Sequence, residues 1–203
     1  MHAFKSLMLH AIVALALLSG AGPLLASPVY HISIDARGLS GQGYLDFLFT
    51  GLGSAAAADV RLTNFSGDFD RSTYTASNAQ GSLDAGVTIH NDTGWNEFGQ
   101  LANLGGLLTF DVQFDVADDP AAGDPAAGAP AAAGSSLSIA LLDPDLVHYA
   151  AGTGGDMVTF QVYPGQPPSF TASDRAAVVP EPATLAQMAA GLVLLGAVRR
   201  RRR

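Results

Sequence analysis

Residues 107–116 read Leu107-Leu108-Thr109-Phe110-Asp111-Val112-Gln113-Phe114-Asp115-Val116. Leu108, Phe110, Val112, Phe114 and Val116 alternate with Thr109, Asp111, Gln113 and Asp115, a period of two. Successive side chains of a strand point to opposite faces, so this stretch predicts a half-buried strand with one face on an apolar core. The same period recurs on either side of it. Residues 29–35 place Tyr30, Ile32 and Ile34 on one face, and residues 44–50 place Leu45, Phe47 and Phe49 opposite Asp46. Further strands are expected over residues 59–65, 72–76, 86–90, 95–98, 136–142, 157–162 and 169–172, separated by Gly, Asn, Asp, Ser and Pro. Ala55 to Ala58 offers one helical turn and nothing longer. The expected fold is all-β, a single antiparallel β-sandwich of jelly-roll-like form over residues 27–176.

One segment breaks the regularity. Residues 117–135 read ADDPAAGDPAAGAPAAAGS, in which Asp119-Pro-Ala-Ala-Gly is repeated from Asp124. Proline every fifth residue, with glycine behind it, opposes both helix and ladder pairing, so the segment is expected to be a flexible loop between two strands.

The two ends of the chain have a different character. At the N-terminus Lys5 precedes an apolar run over residues 7–18 and a small-residue stretch over residues 19–26, the order of a secretory signal peptide. Cleavage between Ala26 and Ser27 is expected, because a cut after Ser27 would put Pro28 at the scissile bond. About 12 apolar residues are too few to span a bilayer, which needs about 20. At the other end Val179-Pro180-Glu181-Pro182 precedes an apolar run over residues 183–198 and then Arg199, Arg200, Arg201, Arg202 and Arg203. As a helix, that run would reach about 24 Å, a little short of a hydrocarbon core of about 30 Å. Snorkelling of Arg199 and mild bilayer thinning close the gap. Cations beside a span stay on the cytoplasmic side, so Pro180, Glu181 and Pro182 fall on the outer face. Pro180 and Pro182 lack amide protons, which keeps the tripeptide extended and out of the helix that follows. A plain tail anchor with a proline start is the alternative.

This order of V-P-E-P, short apolar helix and arginine cluster resembles the PEP-CTERM sorting signal of Gram-negative bacteria that make exopolysaccharide. The resemblance covers residues 177–203. It implies handling by exosortase, an integral-membrane processing enzyme, with Pro180, Glu181 and Pro182 as the recognition element and Arg199 to Arg203 as the retention element. It further implies delivery by the Sec machinery and signal peptidase, a transient stay in the inner membrane, and a destination in the outer envelope or extracellular matrix. Three phrases inside the domain, Tyr30-His-Ile-Ser-Ile-Asp35, Gly43-Tyr-Leu-Asp-Phe-Leu-Phe49 and Asn64-Phe-Ser-Gly-Asp-Phe69, resemble those of a family of small, functionally uncharacterised PEP-CTERM proteins.

Without its two ends the chain is strongly acidic. Between Ser27 and Val179 there are four arginines against 17 acids, a net charge of −13, and 16 of those acids are aspartate. Such a surface repels nucleic acid and anionic lipid, so no nucleic-acid partner is expected. The chain has no cysteine, which removes thiol catalysis, thiolate zinc sites and disulfides. His31, His90 and His148 stand in no metal-binding spacing, and no Gly-x-Ser-x-Gly elbow or phosphate loop is present.

The sequence therefore predicts no catalytic residues, no metal and no cofactor in the sandwich. It points to a structural or binding component of the envelope or of an exopolysaccharide biofilm matrix. A secreted carbohydrate-binding or calcium-dependent adhesin is the alternative, with a carbohydrate-active enzyme behind it. The adhesin would use Trp95 as a sugar platform with Asn91, Asp92, Asn96 and Glu97 around it. For calcium it would use the aspartate turns Asp68/Asp70, Asp115/Asp118/Asp119 and Asp143/Asp145. Aspartate is also an ordinary turn residue, which is the plainer reading of those clusters.

Overall fold

The computed structural model describes residues 27–51, 55–117, 133–150 and 152–181. The expected signal peptide, most of the repeat loop (residues 118–132), the expected membrane helix and the terminal arginines lie outside the described residues. Among the described residues no helix is long and apolar enough to cross a membrane.

The described chain is built of strands: β1 (Val29–Asp35), β2 (Gln42–Gly51), β3 (Ala58–Ser66), β4 (Phe69–Ser77), β5 (Ala79–Ser82), β6 (Gly86–His90), β7 (Glu97–Asn103), β8 (Leu107–Val116), β9 (Ser135–Leu142), β10 (Val158–Val162), β11 (Ser169–Ala172) and β12 (Ala176–Pro180). They form two six-stranded antiparallel sheets, ordered β12-β1-β8-β3-β6-β5 and β11-β10-β9-β2-β7-β4. The chain crosses between sheets at almost every connection up to β9, so neighbours in space are distant in sequence. Residues 55–58 do not form a helical turn: Ala55 bridges Ala133 across the base of the repeat loop, and Ala58 opens β3.

Alternation explains the packing. Tyr30, Ile32 and Ile34 of β1 and Leu108, Phe110, Val112 and Phe114 of β8 project from one sheet. Leu45, Phe47 and Phe49 of β2 and Leu137, Ile139 and Leu141 of β9 project from the other, and all of these are buried in one core. Aromatic edges lock the layers together: Phe47 meets Phe110 with ring centroids 5.0 Å apart at 82°, and Tyr30 meets Phe160 at 5.1 Å and 66°. Pairs of this geometry add roughly 0.5–1.5 kcal/mol each beyond their buried area.

Two strands escape the sequence reading. Ala79–Ser82 is too short and small to show a pattern. Ala176–Pro180 ends in proline, which cannot donate to a ladder, yet it forms the edge of the first sheet as β12. The sandwich thus extends beyond residue 176, where the sequence ended it, into the segment read as the sorting signal.

Candidate functional site

Three places carry the functional residues singled out in the sequence, and the first is the C-terminal edge strand. β12 pairs antiparallel with β1, with Ala176 opposite Ile34, Val178 opposite Ile32 and Pro180 opposite Tyr30. The Asp35 N–H donates to the Arg175 carbonyl at 2.7 Å, and the Glu181 N–H donates to the Val29 carbonyl at 2.8 Å. These two bonds fix the phase of the ladder, so the odd-numbered residues of β12 bond to β1 and the even-numbered ones direct their backbone outward. Pro180 therefore stands where its missing N–H would have faced away from the sheet, the position in which an edge strand tolerates proline. Ala176 and Val178 pack on the core, whereas Val179 is 57% exposed. The Arg175 guanidinium pins the entry to the strand by donating to the carbonyls of Asp35 and Arg37 at 3.2 and 3.4 Å. Glu181 is exposed at the end of the ladder, and Pro182 and Arg199 to Arg203 lie outside the described residues.

The second place is the loop before β7. Trp95 is not in a strand or in the core: it is 55% exposed, and its indole N–H donates to Glu97 Oε2 at 2.6 Å. The polar groups around it are committed to the fold. Asn96 is fully buried, donates to the Phe49 carbonyl at 2.8 Å and accepts from Asn78 at 2.7 Å and from the Thr93 hydroxyl at 2.5 Å. Asn91 accepts the Ala58 N–H and donates to the Ala56 carbonyl and the Ser135 hydroxyl. Asp92 accepts from Asn78 at 2.6 Å. An exposed indole face remains, with little free hydrogen-bonding capacity beside it.

The aspartate turns behave similarly. Asp70 accepts from the backbone and hydroxyl of Ser72 and from the Thr73 hydroxyl, bonds that hold its carboxyl below the ordinary range. Asp145 accepts from the backbone N–H groups of Val147 and His148 and from the His148 ring, and is lowered to about 2. Asp68 accepts from Asn103. Among the described residues no three carboxylate or imidazole groups converge to hold a metal ion. Asp118 and Asp119 lie outside the described residues.

The histidines are spread apart. Nδ1 of His31 bonds Asp111 at 2.7 Å, that of His90 bonds Asp59 at 2.7 Å, and that of His148 bonds Asp145 at 2.6 Å. They stand on β1, at the end of β6 and in the loop after β9, each with its own aspartate. A cleft between β4, β5 and β7, lined by Arg71, Tyr74, Leu83 and Gln100, has a volume of only about 30 Å³. Small-molecule sites run from roughly 300 Å³ upward.

One site was invisible to periodicity. Asp46 lies on the outer face of its sheet, as its alternation with Leu45 and Phe47 requires, yet it is only 7% exposed. Burial first, then a side-chain hydrogen bond with Glu97 and the charges of Glu97 and Asp156, raise its carboxyl to about 8. Its Oδ1 and the Thr75 hydroxyl have no hydrogen-bond partner. Both crowd Gly99, where a Cβ would stand 2.6 Å from Thr75 Oγ1 and 3.4 Å from Asp46 Oδ1, so β7 needs glycine there.

Residues 178–203 match the family model for the PEP-CTERM protein-sorting motif. Neither the curated proteins nor the solved structures contain a match to the chain. The family match begins inside β12 and takes in Pro180, Glu181 and Pro182, the apolar run and the arginines. The chain thus carries the PEP-CTERM protein-sorting motif, the mark of an exported protein sorted by exosortase.

Proposed function

We propose that this chain is an exported, non-catalytic β-sandwich, held in the inner membrane by residues 183–198 and cut from that anchor by exosortase. It then serves as a structural or binding component of the outer envelope or exopolysaccharide matrix. The observation that carries this reading is the sorting-motif match at residues 178–203. Pro180, Glu181 and Pro182 are the recognition element, and Arg199 to Arg203 keep the C-terminus cytoplasmic. The net charge of −13 between Ser27 and Val179 suits a hydrated matrix and opposes re-adsorption to anionic lipid.

Fractionation of the native host with and without exosortase activity tests the sorting. Without the enzyme the protein stays in the inner-membrane fraction at a mass that includes residues 183–203; with it, the protein leaves that fraction. The same distribution in both strains would overturn the proposal.

The exposed indole of Trp95 favours a second reading, in which the sandwich touches polysaccharide by ring stacking. Binding of wild type and Trp95→Ala to the host's own exopolysaccharide decides it. Weaker binding by the variant supports the contact, and equal or absent binding counts against it.

A further inference from the structure

The sorting motif is not a free appendage, because its first residues are a strand of the sandwich. From the ladder between β12 and β1 we infer that β12 stays in the mature protein: the tail is severed on the C-terminal side of Glu181. This inference rests on the exosortase reading above and adds to it which bonds are available.

A processing enzyme takes its substrate as an extended chain whose backbone groups pair within its own cleft. In β12 the backbone of Ala177 and Val179 is already paired with β1, Val178 is pressed on the core, and Glu181 carries the last rung among the described residues. A bond between residues 176 and 181 is therefore presented only after the strand peels away. Peeling would leave backbone groups of Val29, His31 and Ser33 without partners at the sheet edge. Each would exchange a ladder bond for one to water.

Cutting within β12 would make that loss permanent. β1 would become a long edge strand with Tyr30, Ile32 and Ile34 under it and unpaired N–H and C=O groups along it, a template for aggregation. With β12 retained, the edge is capped by a strand carrying Pro180 at an outward backbone position, which blocks further pairing there. The same proline thus serves the sorting motif before the cut and closes the sheet edge after it.

The chemistry C-terminal to Glu181 is ordinary acyl transfer. Water, or an envelope amine or hydroxyl in its place, adds to the carbonyl carbon on the sandwich side. The C–N bond breaks, and the tail leaves as an amine that takes up the proton lost by the nucleophile.

Intact mass and C-terminal peptide mapping of the protein exported by the native host test the inference. The expected C-terminal residue is Glu181 or one beyond it, with the hydrophobic tail gone. A mature C-terminus at Pro180 or earlier would overturn the inference and leave exosortase processing standing. Residues 183–203 still attached in exported material would overturn the processing reading and the inference with it. A second arm pins the strand with Ile32→Cys and Val178→Cys. These register partners form a non-hydrogen-bonded pair, whose Cα separation of about 4.5 Å lies within disulfide reach, and no native cysteine competes. The oxidised double variant is expected to lose its tail as completely as wild type. A tenfold or greater fall in processing, restored by reduction, would show that β12 must peel and would overturn the inference.

Discussion

The carbonyl oxygen of Val29 accepts the backbone N–H of Glu181 at 2.8 Å, so the central residue of the sorting motif is also the last rung of a β-ladder among the described residues. Val29 is the third residue after the expected signal-peptide cut. The first and last strands of the sandwich therefore lie side by side: β12, at the sheet edge, pairs with β1, which pairs with β8 on its other side.

Substitutions along β12 should follow its two faces. Val178→Asp places a carboxylate against the core and should cost about 2 kcal/mol or more, lowering the melting temperature by roughly 4–8 °C in a domain of this size. Val179→Asp, on the exposed face, should stay within about 0.5 kcal/mol of wild type. Equal effects in thermal melting would contradict the strand's orientation.

Asp46 makes stability depend on pH. Its carboxyl is raised in the folded protein to about 8 from an unfolded value of 3.8, so the folded state holds a proton that the unfolded state releases. Its contribution is fully present below about pH 3.8 and is lost as pH rises through about 8. Asp46→Asn keeps the shape and removes the titration. The variant should melt several degrees above wild type at pH 8, and the advantage should shrink towards pH 4. A constant difference across that range would contradict the burial argument.

The loop before β7 should be held by Asn96 and not by Trp95. Asn96→Ala strips partners from the Phe49 carbonyl and from Asn78 and should cost about 2–4 kcal/mol in denaturant unfolding. Trp95→Ala removes a largely exposed ring and should cost less than about 1 kcal/mol. The reverse order would show that the indole packs the loop.

His148 is raised by its hydrogen bond to Asp145, with the charges of Asp145 and Asp143 acting in the same sense. Its imidazolium should therefore persist above the ordinary histidine pKa in an NMR titration. Asp145→Asn should move that titration back down. No movement would mean that the pair does not form in solution.

The strands with strict alternation were legible as written. β1, β6 and β8 match the expected spans residue for residue, because apolar residues at every second position leave only one way to bury them. β12 was not legible, since Ala-Ala-Val-Val-Pro carries no alternation and proline reads as a stop; only the register with β1 reveals that the missing N–H faces outward. Asp46 shows a second limit. Periodicity assigns a residue to a face but does not say what covers that face, and here Glu97, Thr75 and the bare backbone of Gly99 close over it. Trp95 shows a third, because the strand begins two residues later than its aromatic content suggested once Asn96 takes the Phe49 carbonyl. The sorting signal stood out by its resemblance to a known motif, since membrane physics alone left a plain tail anchor open.

Amide hydrogen exchange over residues 176–181 of the full chain tests most directly whether the sorting motif begins inside the sandwich. The account predicts an alternating pattern, with the N–H groups of Ala177, Val179 and Glu181 protected like those of β1 and the outward N–H of Val178 exchanging fast. Uniformly fast exchange from Ala176 to Glu181 would contradict it, because the motif would then be a free tail and every bond in it would be open to the processing enzyme.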